Sequence, residues 1–220
     1  MEPAMTLAYP LDDPRTARPA SALTDAFERH GVRLNVSRNE EIYAQDDPVE
    51  LLYRVMKGVV RTSRLTVEGR RQVGDFYYPG DLFGLEPGPD HQFAAEALTH
   101  CEVQLVRRSA VRALAGDAEL DRAILEATRR ELQRVQEHVM LLGRKSAREK
   151  VAGFLVGLAD EKNGDIDLPM GRQDMADYLG LTIETVSRML TQLQGEKVVE
   201  FPTFRRFRVK RWDALEALID

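Results

Sequence analysis

Cysteine is almost absent from the sequence, and so are long apolar runs. Cys101 is the only cysteine among 220 residues, so one chain cannot form a disulfide, which fits a reducing compartment. No run of roughly eighteen apolar residues occurs, so no membrane-spanning helix and no membrane partner are predicted. Residues 1–20 carry four prolines but no basic block followed by an apolar one, so we expect a disordered arm rather than a secretion signal. These features predict a cytoplasmic protein.

A surplus of positive charge is also missing. The formal net charge is −5, which by itself argues against a nucleic-acid partner. The distribution is uneven, because residues 1–139 hold 18 basic and 23 acidic side chains, whereas residues 140–220 hold 13 of each. Residues 197–211 carry six basic side chains and one acidic one. Phosphate contacts need only local positive charge, so such a basic edge is compatible with docking on DNA.

Signatures of catalysis are lacking as well. The sequence contains no nucleophile–base pair, metal-ligand spacing or phosphate-binding loop. The thiol of Cys101 beside His100 is the one enzymatic candidate, and a small buried residue in a strand is the favoured interpretation of Cys101. The histidines are scattered, which predicts no haem or metal site: His30, His91, His100 and His138. We therefore expect a protein that is not an enzyme.

A strand-like residue pattern followed by a helical one indicates two domains. Residues 21–30 predict a short helix, and residues 40–108 contain short Val, Leu, Tyr and Phe runs separated by turn residues. A hairpin is predicted at Glu68-Gly69, between LLYRVMKGVVRTSRLTV and RRQVGDFYY. Many short strands at close spacing predict a small antiparallel barrel or roll.

A long helical segment follows Arg108. Six of its residues recur at spacings of three and four, with charged or polar flanks: Leu125, Thr128, Leu132, Val135, Val139 and Leu142. This is a heptad seam, which usually packs against an identical helix. The seam is alternatively one edge of an intramolecular bundle. We favour a homodimer interface, because the preceding strands already have their own core.

The last third of the sequence predicts a helix-turn-helix. SARE at 146–149 is a capping box after the break at Gly143, and it opens an apolar helix that forms a second core. RQDMADYL and GLTIETVSRMLTQL then predict two short helices that meet at Gly180, with Thr182 as N-cap. The first of these helices is expected to turn Met175, Ala176 and Leu179 inward.

The second short helix has an apolar and a polar face. The apolar face carries Ile183, Val186, Leu190 and Leu193, and the polar face carries Glu184, Ser187, Arg188 and Thr191. Arginine can donate two hydrogen bonds to guanine, glutamate can accept from cytosine, and serine allows close approach. The alternative is a solvated face with a Glu184–Arg188 pair worth about 0.2–0.5 kcal/mol. The neighbouring elements favour base reading by Glu184, Ser187 and Arg188.

A basic hairpin follows this helix. Residues 198–209 (VVEFPTFRRFRV) predict two strands around a Pro202-Thr203 turn, a wing whose arginines reach DNA phosphates. The candidates for phosphate contact are Thr182, Thr191, Arg205, Arg206 and Arg208.

These motifs carry a family resemblance. RQDMADYLGLTIETVSRMLTQLQ resembles the helix-turn-helix of the CRP/FNR superfamily of bacterial transcription regulators, and EGRRQVGDFYYPGDLFGLE at 68–86 is similar to its FixK branch. The resemblance covers about residues 25–218 and implies an α+β fold with a β-roll of the cyclic-nucleotide-binding type, a long dimerisation helix and a winged helix-turn-helix. We place the arm and these three parts at 1–20, 21–115, 116–143 and 144–220.

The resemblance also implies a function. Such a protein would be a homodimeric activator that binds a palindrome of double-stranded DNA like TTGAT-N4-ATCAA. Arg188 would then read the guanine, Glu184 the cytosine of its pair, and Ser187 a neighbouring thymine. RNA polymerase would be recruited through loops at 84–90 and around 115–118.

The chain departs from the family at residues that bind a signalling ligand or cofactor in some of its members. Cyclic-AMP receptors hold the nucleotide with a Gly-Glu turn and an Arg-Ser pair, whereas this chain has Gly80-Asp81 and, at the pair's positions, His91 and Gln92. A buried phosphate would lack its arginine, so we expect no cyclic nucleotide. One cysteine cannot supply the four ligands of an iron–sulfur cluster. The resemblance thus implies no cofactor and control by an upstream oxygen-responsive system, and the alternative is a regulator gated by another small molecule in the roll.

Overall fold

A computed structural model of the chain describes residues 21–86, 88–115, 117–143, 145–159 and 165–219. The predicted arm at 1–20 lies outside these residues. Contacts divide the chain into two compact units, one that runs up to Gln136 and one that begins at Glu137. The division falls inside the long helix that the sequence analysis set apart at 116–143. No helix within the described ranges is long and apolar enough to cross a membrane.

The first unit is an antiparallel roll, as the sequence predicts. Helix α1 (Ser21–His30) has the predicted bounds. The strands are β1 (Val32–Val36), β2 (Glu41–Tyr43), β3 (Leu51–Lys57), β4 (Val60–Leu65), β5 (Arg71–Tyr77), β6 (Leu82–Phe83), β7 (Ala94–Ala97) and β8 (Cys101–Arg107). They form two four-stranded sheets, in the orders β1-β8-β3-β6 and β2-β7-β4-β5. Inward-facing residues of both sheets build one core, which includes Tyr53, Val55, Phe83 and Val103.

Two glycines decide how the roll is connected. Gly58 has a φ of 82°, and a Cβ there would lie 2.4 Å from the carbonyl oxygen of His100. The apolar run at 51–67 therefore breaks at this position into β3 and β4, which belong to different sheets. The predicted hairpin is confirmed, because β4 pairs with β5 and Gly69 in the connection has a φ of 75°.

Two helices follow the strands, α2 (Arg108–Ala115) and α3 (Asp117–Leu142). Val111 of α2 is fully buried in a second core cluster, together with Leu23 and Phe27 of α1. Ile124 of α3 packs against the same cluster. The first turns of α3 therefore belong to the core of the roll.

The second unit consists of α4 (Ala147–Leu158), β9 (Ile166–Asp167), α5 (Arg172–Leu179), α6 (Ile183–Gly195), β10 (Val199–Thr203), β11 (Arg206–Val209) and α7 (Trp212–Glu216). The capping box of α4 is confirmed, since Ser146 and Glu149 each accept a hydrogen bond from the other's backbone N–H. Phe154 and Leu155 of α4 are buried as predicted. The three strands pair antiparallel in the order β10-β11-β9, and this small sheet carries the wing.

Candidate nucleic-acid interface

Helices α5 and α6 form the predicted helix-turn-helix. Gly180 ends α5 in the left-handed conformation with a φ of 62°, a backbone that glycine adopts at little cost. Thr182 then caps α6, because its hydroxyl accepts a hydrogen bond from the backbone N–H of Thr185 at 3.3 Å. The Asp174 carboxylate accepts from the N–H of Gly171 at 3.0 Å and so fixes the start of α5.

Buried side chains hold the two helices together. Met175, Ala176 and Leu179 of α5 are fully buried, as predicted. On α6, Val186 and Leu193 are fully buried and Leu190 is nearly so. Ile183 is an exception to the predicted apolar face, since it is 38% exposed. It occupies the first turn of α6, one residue after the cap, where the helix has not yet reached the core.

The polar face of α6 points away from this core. Glu184 and Arg188 are exposed and Ser187 is half-buried. Within the described residues, no ion pair links Glu184 to Arg188, so the solvated-pair interpretation has no contact to support it. Hydrogen bonds from its own backbone N–H and from the Thr182 hydroxyl lower the pKa of Glu184. This carboxylate therefore stays ionised and can accept hydrogen bonds.

The two threonines proposed for phosphate contact are engaged within the helix. The Thr191 hydroxyl donates to the carbonyl oxygen of Ser187 at 2.9 Å. The Thr182 hydroxyl accepts the capping bond and lies 3.1 Å from the Thr185 hydroxyl. A hydroxyl has one hydrogen to donate, and a phosphate oxygen only accepts. Thr191 would therefore have to give up its bond to Ser187 in order to contact phosphate.

The wing exists, but its turn lies two residues later than predicted. Pro202 and Thr203 belong to β10, and the chain turns at Phe204 and Arg205. The pairing of β10 with β11 is shifted between Glu200 and Thr203, which places the irregularity around Pro202. Proline has no N–H for the ladder, and a bulge lets it remain within a strand.

All three predicted wing arginines have partners in their own unit. Arg205 donates from Nη1 to the carbonyl oxygen of Pro169 at 3.3 Å. Arg206 and Arg208 make ion pairs with Asp167 at 2.9 Å and Asp165 at 2.7 Å. Neither acid is among the residues predicted from the sequence, although their spacing of two residues is the one that puts side chains on the same face of a strand.

The wing also forms one wall of a groove of about 570 Å³ beside α5 and α6. Phe204 at the wing tip is 87% exposed, and the Arg172 guanidinium lies 5.6 Å from the centroid of its ring. Neither residue was predicted from the sequence, because an isolated aromatic or arginine forms no periodic pattern that would indicate a site.

The heptad seam of α3 is largely exposed. Leu125, Leu132, Val135 and Val139 are between 50% and 69% exposed, and Met140 beside them is 73% exposed. The two remaining seam residues, Thr128 and Leu142, are half-buried. Most of the stripe is thus exposed in the described part of the chain.

A polar cluster joins α3 to the roll. The Arg134 guanidinium lies 3.6 Å from Asp75 and 3.5 Å from Asp81, and it also pairs with Glu131. It stands 4.9 Å from the centroid of the Tyr77 ring. Burial raises the pKa of Tyr77, so the hydroxyl stays protonated. It donates a hydrogen bond to the Glu131 carboxylate at 2.9 Å.

Cys101 is a structural residue of the roll. Its thiol is fully buried and donates to the carbonyl oxygen of Val59 at 3.2 Å. Burial raises the pKa of Cys101, which disfavours the reactive thiolate. The preferred interpretation from the sequence, a small buried side chain, is confirmed.

Comparisons with known proteins agree with this architecture. A Crp-like helix-turn-helix domain matches residues 149–218, and a cyclic nucleotide-binding domain matches residues 33–117. The nitrogen fixation regulation protein FixK of Azorhizobium caulinodans is 40% identical over 98% of this chain and 94% of its own length. The chain belongs to the CRP/FNR superfamily of transcription regulators, on its FixK-like branch.

Two further similarities support the FixK-like assignment. The transcriptional activatory protein AadR of Rhodopseudomonas palustris is 37% identical over 88% of this chain and 84% of its own length. The solved structure of FixK2 from Bradyrhizobium japonicum has 42% sequence identity and a TM-score of 0.80, and the match covers 86% of this chain and 98% of that one. The fold predicted from the sequence, a β-roll with a helix-turn-helix domain, is thereby confirmed.

Two residues of the roll that the resemblance sets at nucleotide-binding positions, Asp81 and His91, have partners within the protein. Asp81 accepts from the Tyr78 N–H at 2.8 Å and pairs with Arg134. His91 is the residue that the resemblance sets in place of the phosphate-binding arginine. It is 1% exposed, and its ring stacks on Tyr43 at a centroid distance of 3.7 Å. The residues that would hold the nucleotide are thus engaged with the protein itself.

Proposed function

We propose that this FixK-like regulator is a homodimer that binds a palindromic DNA site and activates transcription without a bound cofactor. The observation that carries the proposal is the exposed polar face of α6, with Glu184, Ser187 and Arg188 on a helix that is capped at Thr182 and anchored by buried Val186. A rigidly supported helix with this chemistry suits the major groove.

Each side chain of the trio has a role at a site like TTGAT-N4-ATCAA. Arg188 donates to O6 and N7 of the guanine, Glu184 accepts from N4 of the paired cytosine, and Ser187 contacts a neighbouring thymine. Phosphate contacts are proposed for Thr182, Thr191, Arg205, Arg206 and Arg208. These contacts fix the register of the helix and carry no sequence information of their own.

The exposed seam supports dimerisation through α3. Leu132, Val135 and Val139 lie on one stripe and are at least half exposed in the single chain. Burying such a stripe against its own copy removes apolar surface from water, at about 25 cal/mol per Å². A two-fold dimer would present two copies of α6 to successive major grooves, about 34–36 Å apart.

Activation through RNA polymerase is proposed by analogy with the relatives. AadR is named a transcriptional activatory protein and FixK a nitrogen fixation regulation protein. The loops at 84–90 and 115–118 remain the proposed polymerase-facing surfaces, although residues 87 and 116 lie outside the described ranges. Control by an upstream oxygen-responsive cascade is proposed on the same ground.

Independence from a cofactor is supported by the Arg134 cluster. Asp81, which the resemblance sets at a nucleotide-binding position, is paired with the guanidinium of Arg134 in α3. A ligand at this place would have to break that pair before it could use Asp81. Arg134 therefore already pairs with the Asp81 carboxylate that a ligand would otherwise contact.

The alternative, a small-molecule sensor, has one observation in its favour. The hydroxyl of Tyr43 is buried and has no hydrogen-bond partner among the described residues. Buried polar groups usually have partners, so a polar ligand or a water at this point would satisfy the hydroxyl. Calorimetry with candidate effectors distinguishes this alternative, because it requires a DNA affinity that changes on binding.

Selection of bound sequences from random duplexes, followed by footprinting, tests the proposal. The purified full-length protein is used with no added effector. We expect an enriched two-fold symmetric site with half-sites about one helical turn apart. Enrichment of an asymmetric site would contradict the homodimer, and enrichment only after an effector is added would favour the ligand-gated alternative.

A further inference from the structure

The wing is paired with acids that come from a distant part of the sequence. Strand β9 pairs antiparallel with β11, and the register sets Asp167 opposite Arg206 and Ile166 opposite Phe207. Phe207 and Ile166 are buried. The charged residues on either side of each therefore lie together on the opposite face of the strands. Asp165 lies in the same row, and its Oδ1 accepts from both Nε and Nη2 of Arg208.

Charges on this face of the wing cancel. Arg206 pairs with Asp167, Arg208 pairs with Asp165, and the Lys210 ammonium lies 3.2 Å from Glu200. The basic edge predicted from residues 197–211 is therefore locally neutral where these three cations lie. Such pairs attract a phosphate at a distance far less than unpaired arginines would.

A phosphate can nevertheless replace the carboxylate partner of Arg206 or Arg208. The side chains of Arg206 and Arg208 are 52% and 43% exposed, and ion pairs at such positions contribute little to stability. A phosphate at bonding distance offers the guanidinium a charge-assisted hydrogen bond of the same kind as the carboxylate does. Exchange thus needs a phosphate held in a fixed position rather than a passing one.

We propose that Asp165 and Asp167 restrain Arg206 and Arg208 and thereby limit DNA affinity, because each arginine must give up its carboxylate before it binds a phosphate. The inference rests on the proposed function. On non-cognate DNA, binding depends almost wholly on the charge presented to the phosphates, so a neutral wing weakens it. On the cognate site, base contacts fix the register and the arginines exchange partners, but the exchange still breaks the two ion pairs, so the acids weaken binding there as well.

The test is the double variant Asp165→Asn/Asp167→Asn, which removes both charges and retains the size of the side chains. Fluorescence anisotropy measures the Kd of the full-length protein for the palindrome and for a scrambled duplex between about 50 and 200 mM salt. Kd for the scrambled duplex should tighten about three- to tenfold, and its log–log salt slope should become more negative by about 1–2. Kd for the palindrome should tighten at least as much, because binding to it no longer has to break the two ion pairs.

The matched control is Asp213→Asn/Glu216→Gln, which removes the same formal charge from exposed positions of α7. It should leave both duplexes unaffected, and an equal gain in the control would overturn the inference, because only total charge would then matter. Adding Arg206→Gln/Arg208→Gln to the Asn variant should abolish the gain, since the freed arginines produce it. A gain that survives this addition would also overturn the inference.

Two further outcomes separate this inference from the proposed function. If the Asn variant binds both duplexes more weakly or unchanged, the acids do not restrain the arginines and the inference is wrong. If the unsubstituted protein fails to prefer the palindrome to the scrambled duplex, the proposed function itself fails. Each single Asn substitution leaves the other ion pair intact. If the double variant does not fold, the same measurements are made on the two single variants.

Discussion

At the scale of single residues, the proposed reading of bases by α6 depends most on Arg188. Its guanidinium is exposed and, among the described residues, bound by no ion pair. We expect Arg188→Ala to weaken binding to the palindrome by at least about 100-fold, since each of the two half-sites loses a bidentate base contact worth roughly 1–3 kcal/mol. Binding to a scrambled duplex should weaken far less, by about tenfold or less, since only one positive charge per subunit is lost. Anisotropy titrations on the two duplexes measure both effects.

Arg188→Lys is the control for this prediction, because it keeps the charge but not the planar two-donor geometry. We expect Lys to restore binding to the scrambled duplex and to leave most of the loss on the palindrome. Full recovery of palindrome binding by Lys would mean that Arg188 contacts phosphate rather than guanine.

The exposed trio on α6 was predictable because helical spacing alone separates Glu184, Ser187 and Arg188 from the buried Val186. The state of the wing arginines was not. Arg206 pairs with an acid 39 residues earlier in the chain, and only the register of β9 against β11 brings the two together. A one-residue shift in that register would have turned the acid to the other face.

At the scale of elements, α3 is attached to the roll by a charged side chain. Arg134 is 13% exposed and faces three carboxylates, so its removal leaves those charges without their counterion. We expect Arg134→Met to lower the free energy of unfolding by about 3 kcal/mol, at the lower end for a broken buried pair because Asp75 and Glu131 retain some access to water. Urea denaturation followed by circular dichroism measures the change.

Arg129→Met serves as the control for the cluster, because Arg129 pairs with Glu126 on the same helix but is 70% exposed. Its free energy of unfolding should stay within about 0.5 kcal/mol of the unsubstituted protein. Equal losses in the two variants would show that the roll does not depend on the Arg134 cluster.

The exposed seam of α3 gives a second prediction at this scale. Val135 is 50% exposed and lies in the middle of the stripe. Val135→Asp would place two like charges in the proposed interface, and we expect a monomer at micromolar concentration by analytical ultracentrifugation. Gln136→Asp, one residue away on the polar flank, should remain dimeric. A dimer that survives Val135→Asp would place the interface elsewhere.

Local patterns predicted most of the elements but not their pairing. The ends of α1, the capping box of α4 and the turn at Gly180 depend on neighbouring residues, so their chemistry is visible in the sequence. The two-residue strand β9 is too short to leave a pattern. The wing turn was placed at Pro202 because proline favours turns, whereas the pairing of Thr203 with Arg206 extends β10 past it. Sheet order likewise depends on contacts that are remote in sequence.

At the scale of the whole molecule, charge alone does not explain DNA binding. The protein carries a net charge of −5, and its wing is locally compensated. Long-range attraction to DNA is therefore weak, and affinity must come from contacts that form only in the correct register. Two such contact sets, one in each half of a dimer, add only when the spacing of the half-sites matches that of the two α6 helices.

Half-site spacing therefore provides the test of the dimer on DNA. Inserting five base pairs into the four-base-pair spacer turns the second half-site by about half a helical turn, out of reach of the second α6. We expect Kd to weaken by at least about 100-fold, toward that of a single half-site, because the avidity of the second contact set is lost. A spacer of unchanged length and scrambled sequence should bind as before, apart from small effects of DNA flexibility. Equal affinity for both spacer lengths would mean that the two recognition helices are not held in a fixed relation.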